Sequence, residues 1–223
     1  MPTDIPSTSS GDDDLLDRFE ATLPNQRELG ERLLARYREP HRAYHNVDHL
    51  RHVLTMIDEL AADQDLFLVR LAAWFHDAVY DIPERELTNE EASARLSIRE
   101  LSRAGFEQED LTQVARLVRL TATHVPGARD PEGELLCDAD LAILAAEPAA
   151  YARYLEQVRA EYAAVADEQF LAGRLAILVE LAQRPLFRTG KGQSLTAAAQ
   201  SNLNAETVAI SERLGVPVEG SDS

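Results

Sequence analysis

Two side chains able to do chemistry stand together at the end of an apolar run. His76 and Asp77 follow Leu66–Phe75, in which Arg70 is the one interior charge. A helix that is apolar all round is buried in a core, so the imidazole and the carboxylate are expected at its inner end. A buried carboxylate needs a partner or a proton. A metal ion would satisfy both side chains at once, and imidazole with carboxylate suits Mn, Fe, Co, Ni or Zn, and with enough carboxylate Mg. The remaining candidates for such a site are His45 or His49, His124, and Asp138 or Asp140, each at the end of an expected helix and in an apolar context. His41 and His52 have no such context and are expected to face solvent.

The elements that must position these residues read as helices. Asn46 is a good N-cap, Asp48 favours the first turn, and Leu50, Val53, Leu54, Ile57 and Leu60 form an apolar stripe behind His49. The buried helix follows a break at Asp63-Gln64-Asp65. Asp81–Glu86 is expected to be a loop. Amphipathic helices follow over Asn89–Ala104, ended by Gly105, and over Leu111–Thr121. Ala128–Glu134 reads as a polar loop, with the next helix starting at Leu135. Ala149–Tyr162, Glu168–Gln183 and Leu195–Leu214 complete an all-α chain with no period-2 runs that would make a sheet. Residues 1–14 are polar and read as a disordered N-terminal tail, 15–215 as a single helical domain, and 216–223 as a C-terminal tail.

Composition narrows the function. The chain has 223 residues and is 45% hydrophobic with a net charge of -17. That charge opposes docking on a nucleic-acid backbone or an anionic membrane, but a metal can set the local potential for a small anionic substrate. Cys137 is the one cysteine, which excludes an intrachain disulfide and suits a reducing, cytoplasmic compartment. No apolar run is long enough to span a bilayer.

The order His49, His76-Asp77, Asp140 resembles the H…HD…D signature of the HD superfamily of metal-dependent phosphohydrolases. The chain is similar to a bacterial branch of that superfamily through Tyr44-His45-Asn46 with His49, Trp74-Phe75-His76-Asp77 with Val79-Tyr80-Asp81, Asn89-Glu90-Glu91, Thr121 with His124, and Asp138-Ala139-Asp140-Leu141. The resemblance runs over roughly residues 15 to 215. It implies an HD-domain-like helical bundle and a divalent metal ion (Mn, Co, Ni, Fe, Mg or Zn) on His49, His76, Asp77 and Asp140, with Asp138 as the fallback for the last ligand. It also implies a small phosphorylated substrate, a phosphomonoester or phosphodiester, with nucleotides among the candidate classes. On that reading Asp77 serves at the reacting centre, Asp81 orients the attacking water, and His124 donates to the leaving group, to a phosphate oxygen or to a second ion. Arg42, Arg51 and Lys191 are candidate phosphate clamps. The pattern departs at one place: nucleotidases of the superfamily carry a Glu shortly after the His-Asp pair, where this chain has Val79, Tyr80 and Asp81. Two alternatives share the ligand set, a non-catalytic metal- or nucleotide-binding HD module and a di-iron oxygenase. The second needs further histidines between Asp77 and Asp140, where only His124 lies.

Overall fold

A computed structural model describes residues 10–62 and 65–217, with the side chains of 10–12 left aside. The described residues are all-α, with no strand. The helices are α1 (Ser10–Thr22), α2 (Arg27–Tyr37), α3 (Val47–Leu60), α4 (Phe67–Phe75), α5 (Asn89–Arg103), α6 (Gln108–Leu120), α7 (Pro131–Leu141), α8 (Pro148–Glu161), α9 (Asp167–Ala182) and α10 (Thr196–Leu214). Short 3-10 turns at Ala142–Ala145 and Gly192–Leu195 lead into α8 and α10. Among the described residues no helix is long and apolar enough to cross a membrane.

The expected punctuation holds in most places. The Asn46 side chain accepts from the backbone N–H groups of Asp48 and His49 and so starts α3. Gly105 adopts the left-handed conformation (φ 86°) that ends α5. Three helices start three or more residues earlier than their apolar pattern suggests, among them α6 at Gln108 in place of Leu111. Helix α1 begins at Ser10, inside the stretch expected as tail, and its Asp13 and Asp14 lie where carboxylates favour the helix dipole. Residues 1–9 and 218–223 of the expected tails, and Asp63 and Gln64 of the expected break, lie outside the described residues. Helix α7 begins at Pro131 and not at Leu135, because Asp130 accepts from the Gly133 N–H and Pro131 fits the first turn without needing a donor.

Two buried regions follow one another along the chain. The first is built from α1–α7 around Trp74, Phe75, Phe19, Tyr37, Leu50, Ile57 and Leu117. Helix α3 packs on α7, and α4 on α6. The apolar helix α4 lies at the centre: Val69 and every residue from Leu71 to Phe75 are buried. The Phe19 ring meets the Trp74 indole edge-on at 4.8 Å, and Gly30 is needed there because a Cβ would come within 2.7 Å of the Phe19 ring. The second region gathers Tyr44, Leu144, Tyr151, Tyr154, Leu178 and Leu203, mostly from α8, α9 and α10. Tyr44, in the loop before α3, belongs to this second region while its ring packs on His49 of the first at 4.9 Å. The His-Asp residues therefore lie at the seam between the two.

Candidate metal centre

Each member of the cluster is placed by a local feature of its own element. His49 sits in the first turn of α3, and the buried stripe behind it turns its ring inward. His76 follows the last residue of α4, and its Nδ1–H donates to the Ala73 carbonyl at 2.7 Å. That bond leaves Nε2 of the neutral ring as a lone-pair donor for a cation. Asp77 follows directly, and its backbone is held from two sides: its N–H donates to the Tyr37 hydroxyl at 3.4 Å, and its carbonyl accepts from Arg42 Nη1 at 2.6 Å. Asp140 enters from the last turn of α7.

These side chains converge. The Nε2 atoms of His49 and His76 are 3.0 Å apart. Asp77 Oδ2 lies 3.3 Å from His49 Nε2 and 3.1 Å from His76 Nε2. Asp140 Oδ1 lies 3.2 and 3.8 Å from the same two nitrogens. His49, His76 and Asp77 each offer one donor atom within 4.8 Å of the others, and Asp140 stands outside that tight group while touching both rings. A bond of about 2.1 Å from each ligand to one ion puts neighbouring ligand atoms roughly 3.0 to 3.4 Å apart in octahedral to tetrahedral geometry. The donor atoms of His49, His76 and Asp77 have a spacing that fits a divalent cation. His76 has the outer tie that metal-bound imidazoles ordinarily have. His49 lacks one, and its Nδ1 is buried with no hydrogen-bond partner.

Electrostatics are set by the same four residues. Desolvation lowers the His49 pKa, but hydrogen bonds to Asp140 and Asp77 outweigh it and push it up to about 10. Desolvation lowers the His76 pKa too, but Asp77 and Asp140 outweigh it and raise it, so both imidazoles gain proton affinity beside the two carboxylates. Burial raises the Asp77 carboxyl, but His76, His45 and His49 outweigh that and hold it well below the usual carboxylate range. Asp140 is likewise depressed against desolvation, chiefly by hydrogen bonds from His124 and His49. A site that keeps both carboxylates ionised and gathers positive charge to match them is suited to a cation.

The other expected residues are sorted by the fold. His124 Nε2–H donates to Asp140 Oδ2 at 2.9 Å, so it touches a ligand and not the centre of the cluster. Asp138 faces away from the cluster: its carboxylate accepts from the N–H groups of Arg188 and Thr189 and from the Thr189 hydroxyl at 2.8–3.0 Å. Gly192 is required there, because a Cβ would collide with that carboxylate. Asp81 pairs with Arg85 at 3.0 Å and makes no hydrogen bond or ion pair with the cluster among the described residues.

The three expected phosphate clamps each have protein partners. Arg42 is fully buried and its guanidinium holds the carbonyls of Asp77, Ala78 and His45 together with the Glu39 carboxylate. Lys191 donates to the carbonyls of Glu59 and Ala61, where it satisfies the C-terminus of α3. Arg51 pairs with Asp48 at 2.6 Å. His41 is exposed as expected and donates to the Tyr80 carbonyl at 2.7 Å. His52 is half-buried, contrary to expectation, with Nε2 out of contact with water and without a partner.

One pair beside the cluster escapes sequence reasoning. Glu161, at the last turn of α8, accepts from the backbone N–H groups of Tyr44 and His45 at 2.8 Å and from His45 Nδ1 at 2.7 Å. Its side chain is 1% exposed. Burial raises its carboxyl, but these bonds outweigh that and lower it. The His45 ring stacks on Tyr80 at 4.1 Å and is among the groups that hold Asp77 ionised. Its Nε2 makes no hydrogen bond among the described residues and its side chain is 21% exposed. Sequence spacing carries no signal that joins residues 116 positions apart. No protein-family model matches the chain, and neither the curated proteins nor the solved structures searched give a match.

Proposed function

We propose that the chain is a metal-dependent phosphoric ester hydrolase with an HD-type site, using His49, His76, Asp77 and Asp140 to hold one divalent ion. The observation that carries this reading is the approach of two imidazole Nε2 atoms to 3.0 Å with Asp77 and Asp140 against both. When bound, the ion would supply a Lewis acid for a phosphoryl oxygen and lower the pKa of a water molecule.

The protein's own groups divide the remaining work. Asp77 and Asp140 stay ionised and fix the two imidazoles in one orientation. His124 is a positioning residue that holds Asp140 through its second oxygen. His45 replaces His124 as the group for the leaving oxygen: Glu161 fixes its Nδ1–H, so Nε2 faces the partly open side as the atom that carries a proton to the departing ester oxygen. Arg42 tethers the Asp77 and His45 backbones to each other and so keeps acid and ligand in register. The substrate class is a small phosphate ester.

The reading is tested by metal analysis and turnover of phosphate monoesters and diesters with added Mn, Co, Ni, Mg or Zn. Wild type gains activity with metal, Asp77→Ala loses both metal and activity, and His45→Ala keeps metal but loses roughly 100-fold or more in kcat. A protein that binds metal yet turns over no ester would be a binding module, and one that binds no metal at all would remove the proposal.

A further inference from the structure

Four arginines converge on one groove of a protein whose net charge is -17. Arg32 and Arg36 come from α2, and Arg99 and Arg103 from α5. They surround a cavity of about 570 Å3 with Leu29, Leu33 and Leu96 in its wall. The wall also carries Glu39 and Glu100, but Glu39 is held by Arg42 at 3.1 Å. Glu100 is the organiser. Its side chain is 9% exposed and takes Arg32, Arg99 and Arg103 at 3.0–3.1 Å. Desolvation raises its carboxyl, and Arg99, Arg32 and Arg103 outweigh that and lower it, so it stays ionised.

One carboxylate gathers three guanidinium groups without neutralising them, and Arg36 adds a fourth that bonds the Ala78 carbonyl at 3.4 Å. Other arginines meet a carboxylate one to one: Arg116 with Asp130, Arg174 with Glu206, Arg159 with Asp167. The α2–α5 groove is a local excess of positive charge held in place by a buried anion.

We propose that this groove binds an oligophosphate anion. Guanidinium forks match phosphate oxygens in pairs. Arg32 with Arg36, and Arg99 with Arg103, are each four residues apart, so each pair spans roughly 6 Å along its helix. That reach fits a chain of two or three phosphates better than one. A long polynucleotide is disfavoured, because the strongly negative remainder of the protein repels it. The site shares no residue with the metal cluster and stands independently of the hydrolase reading.

The test is calorimetric titration of the full chain with inorganic tripolyphosphate, with orthophosphate and adenosine triphosphate as companions. Wild type binds tripolyphosphate at least about tenfold more tightly than orthophosphate, and binding weakens as salt rises. The doubly substituted Arg99→Gln/Arg103→Gln protein loses about tenfold or more in affinity, and Arg32→Gln, on the facing helix, loses affinity without touching either. These three side chains are 54%, 68% and 58% exposed, so circular dichroism of the variants should match wild type. Asp77→Asn leaves the affinity unchanged. Tighter binding of adenosine triphosphate identifies a nucleotide as the source of the phosphates, and weaker binding identifies a free oligophosphate chain. No binding by wild type, unchanged binding by both arginine variants, or loss of binding in Asp77→Asn would overturn the proposal, the last by placing the anion at the metal cluster.

Discussion

The two buried regions handle buried charge in opposite ways. In the second region Arg174 lies between α9 and α10 with Glu206 at 2.7 and 3.0 Å, and Tyr151 closes the group with a hydroxyl bond of 2.5 Å to Glu206. Cation and anion match one to one, and each polar atom points at another. At the seam with the first region, two carboxylates and two imidazole nitrogens point at a common centre, and two negative charges there call for protons on the imidazoles or an ion between the four. Burial alone therefore does not mark a functional site. A closed network stabilises a packing arrangement, and an open one with convergent donors has room for a guest.

Breaking the closed network should have the largest effect on stability. Glu206→Ala strands the Arg174 guanidinium in the interior, so it should cost about 3–5 kcal/mol in urea unfolding and leave metal-induced stabilisation intact. Equal loss on Glu206→Ala with and without metal sharpens the contrast; loss of the metal response would merge the two networks into one.

A smaller effect separates the neighbours Asp138 and Asp140. Asp138→Ala removes the acceptor for Arg188, Thr189 and the Thr189 hydroxyl and should cost about 2–3 kcal/mol while metal affinity stays at the wild-type level. A drop in metal affinity would show that the connection between α9 and α10 supports the cluster.

The smallest effect belongs to a pair at the edge of the first region, where solvent weakens the charge. Arg116 bonds both oxygens of Asp130 at 2.6 and 2.9 Å, and Asp130 also caps α7. Desolvation raises the Asp130 carboxyl, but the bonds from Arg116 and Gly133 outweigh it, so its folded pKa lies below the usual value. The stability this provides is present above the unfolded pKa of about 3.9 and is lost as pH falls through the lower folded value. Because Arg116 is substantially exposed, Asp130→Asn should cost no more than about 1 kcal/mol at neutral pH and should flatten the acid limb of the stability curve.

The apolar run into His76 made the centre of the fold legible, because only a buried helix tolerates such a sequence, and the Asn46 cap fixed where α3 puts His49. The start of α7 was also written in the chain, in Asp130-Pro131, but the polar residues that follow conceal it. Asp138 and Asp140 could not be told apart from spacing. Residues two apart on a helix face different sides, and only the packing of α7 on α3 shows which side meets the histidines. Arg42 reads as a candidate phosphate clamp because a sequence carries no sign that a guanidinium will be buried against backbone carbonyls. Glu161 belongs to the same class, since its bond to His45 exists only once α8 has closed over the loop before α3.

The measurement closest to the central claim is a crystal structure of protein loaded with Mn or Zn, with the ion located by anomalous scattering. The account predicts one peak about 2.1 Å from the Nε2 atoms of His49 and His76 and from a carboxylate oxygen of Asp77 and of Asp140. No peak between these four residues at saturating metal, with the His49 and His76 nitrogens still paired to the carboxylates, would contradict it.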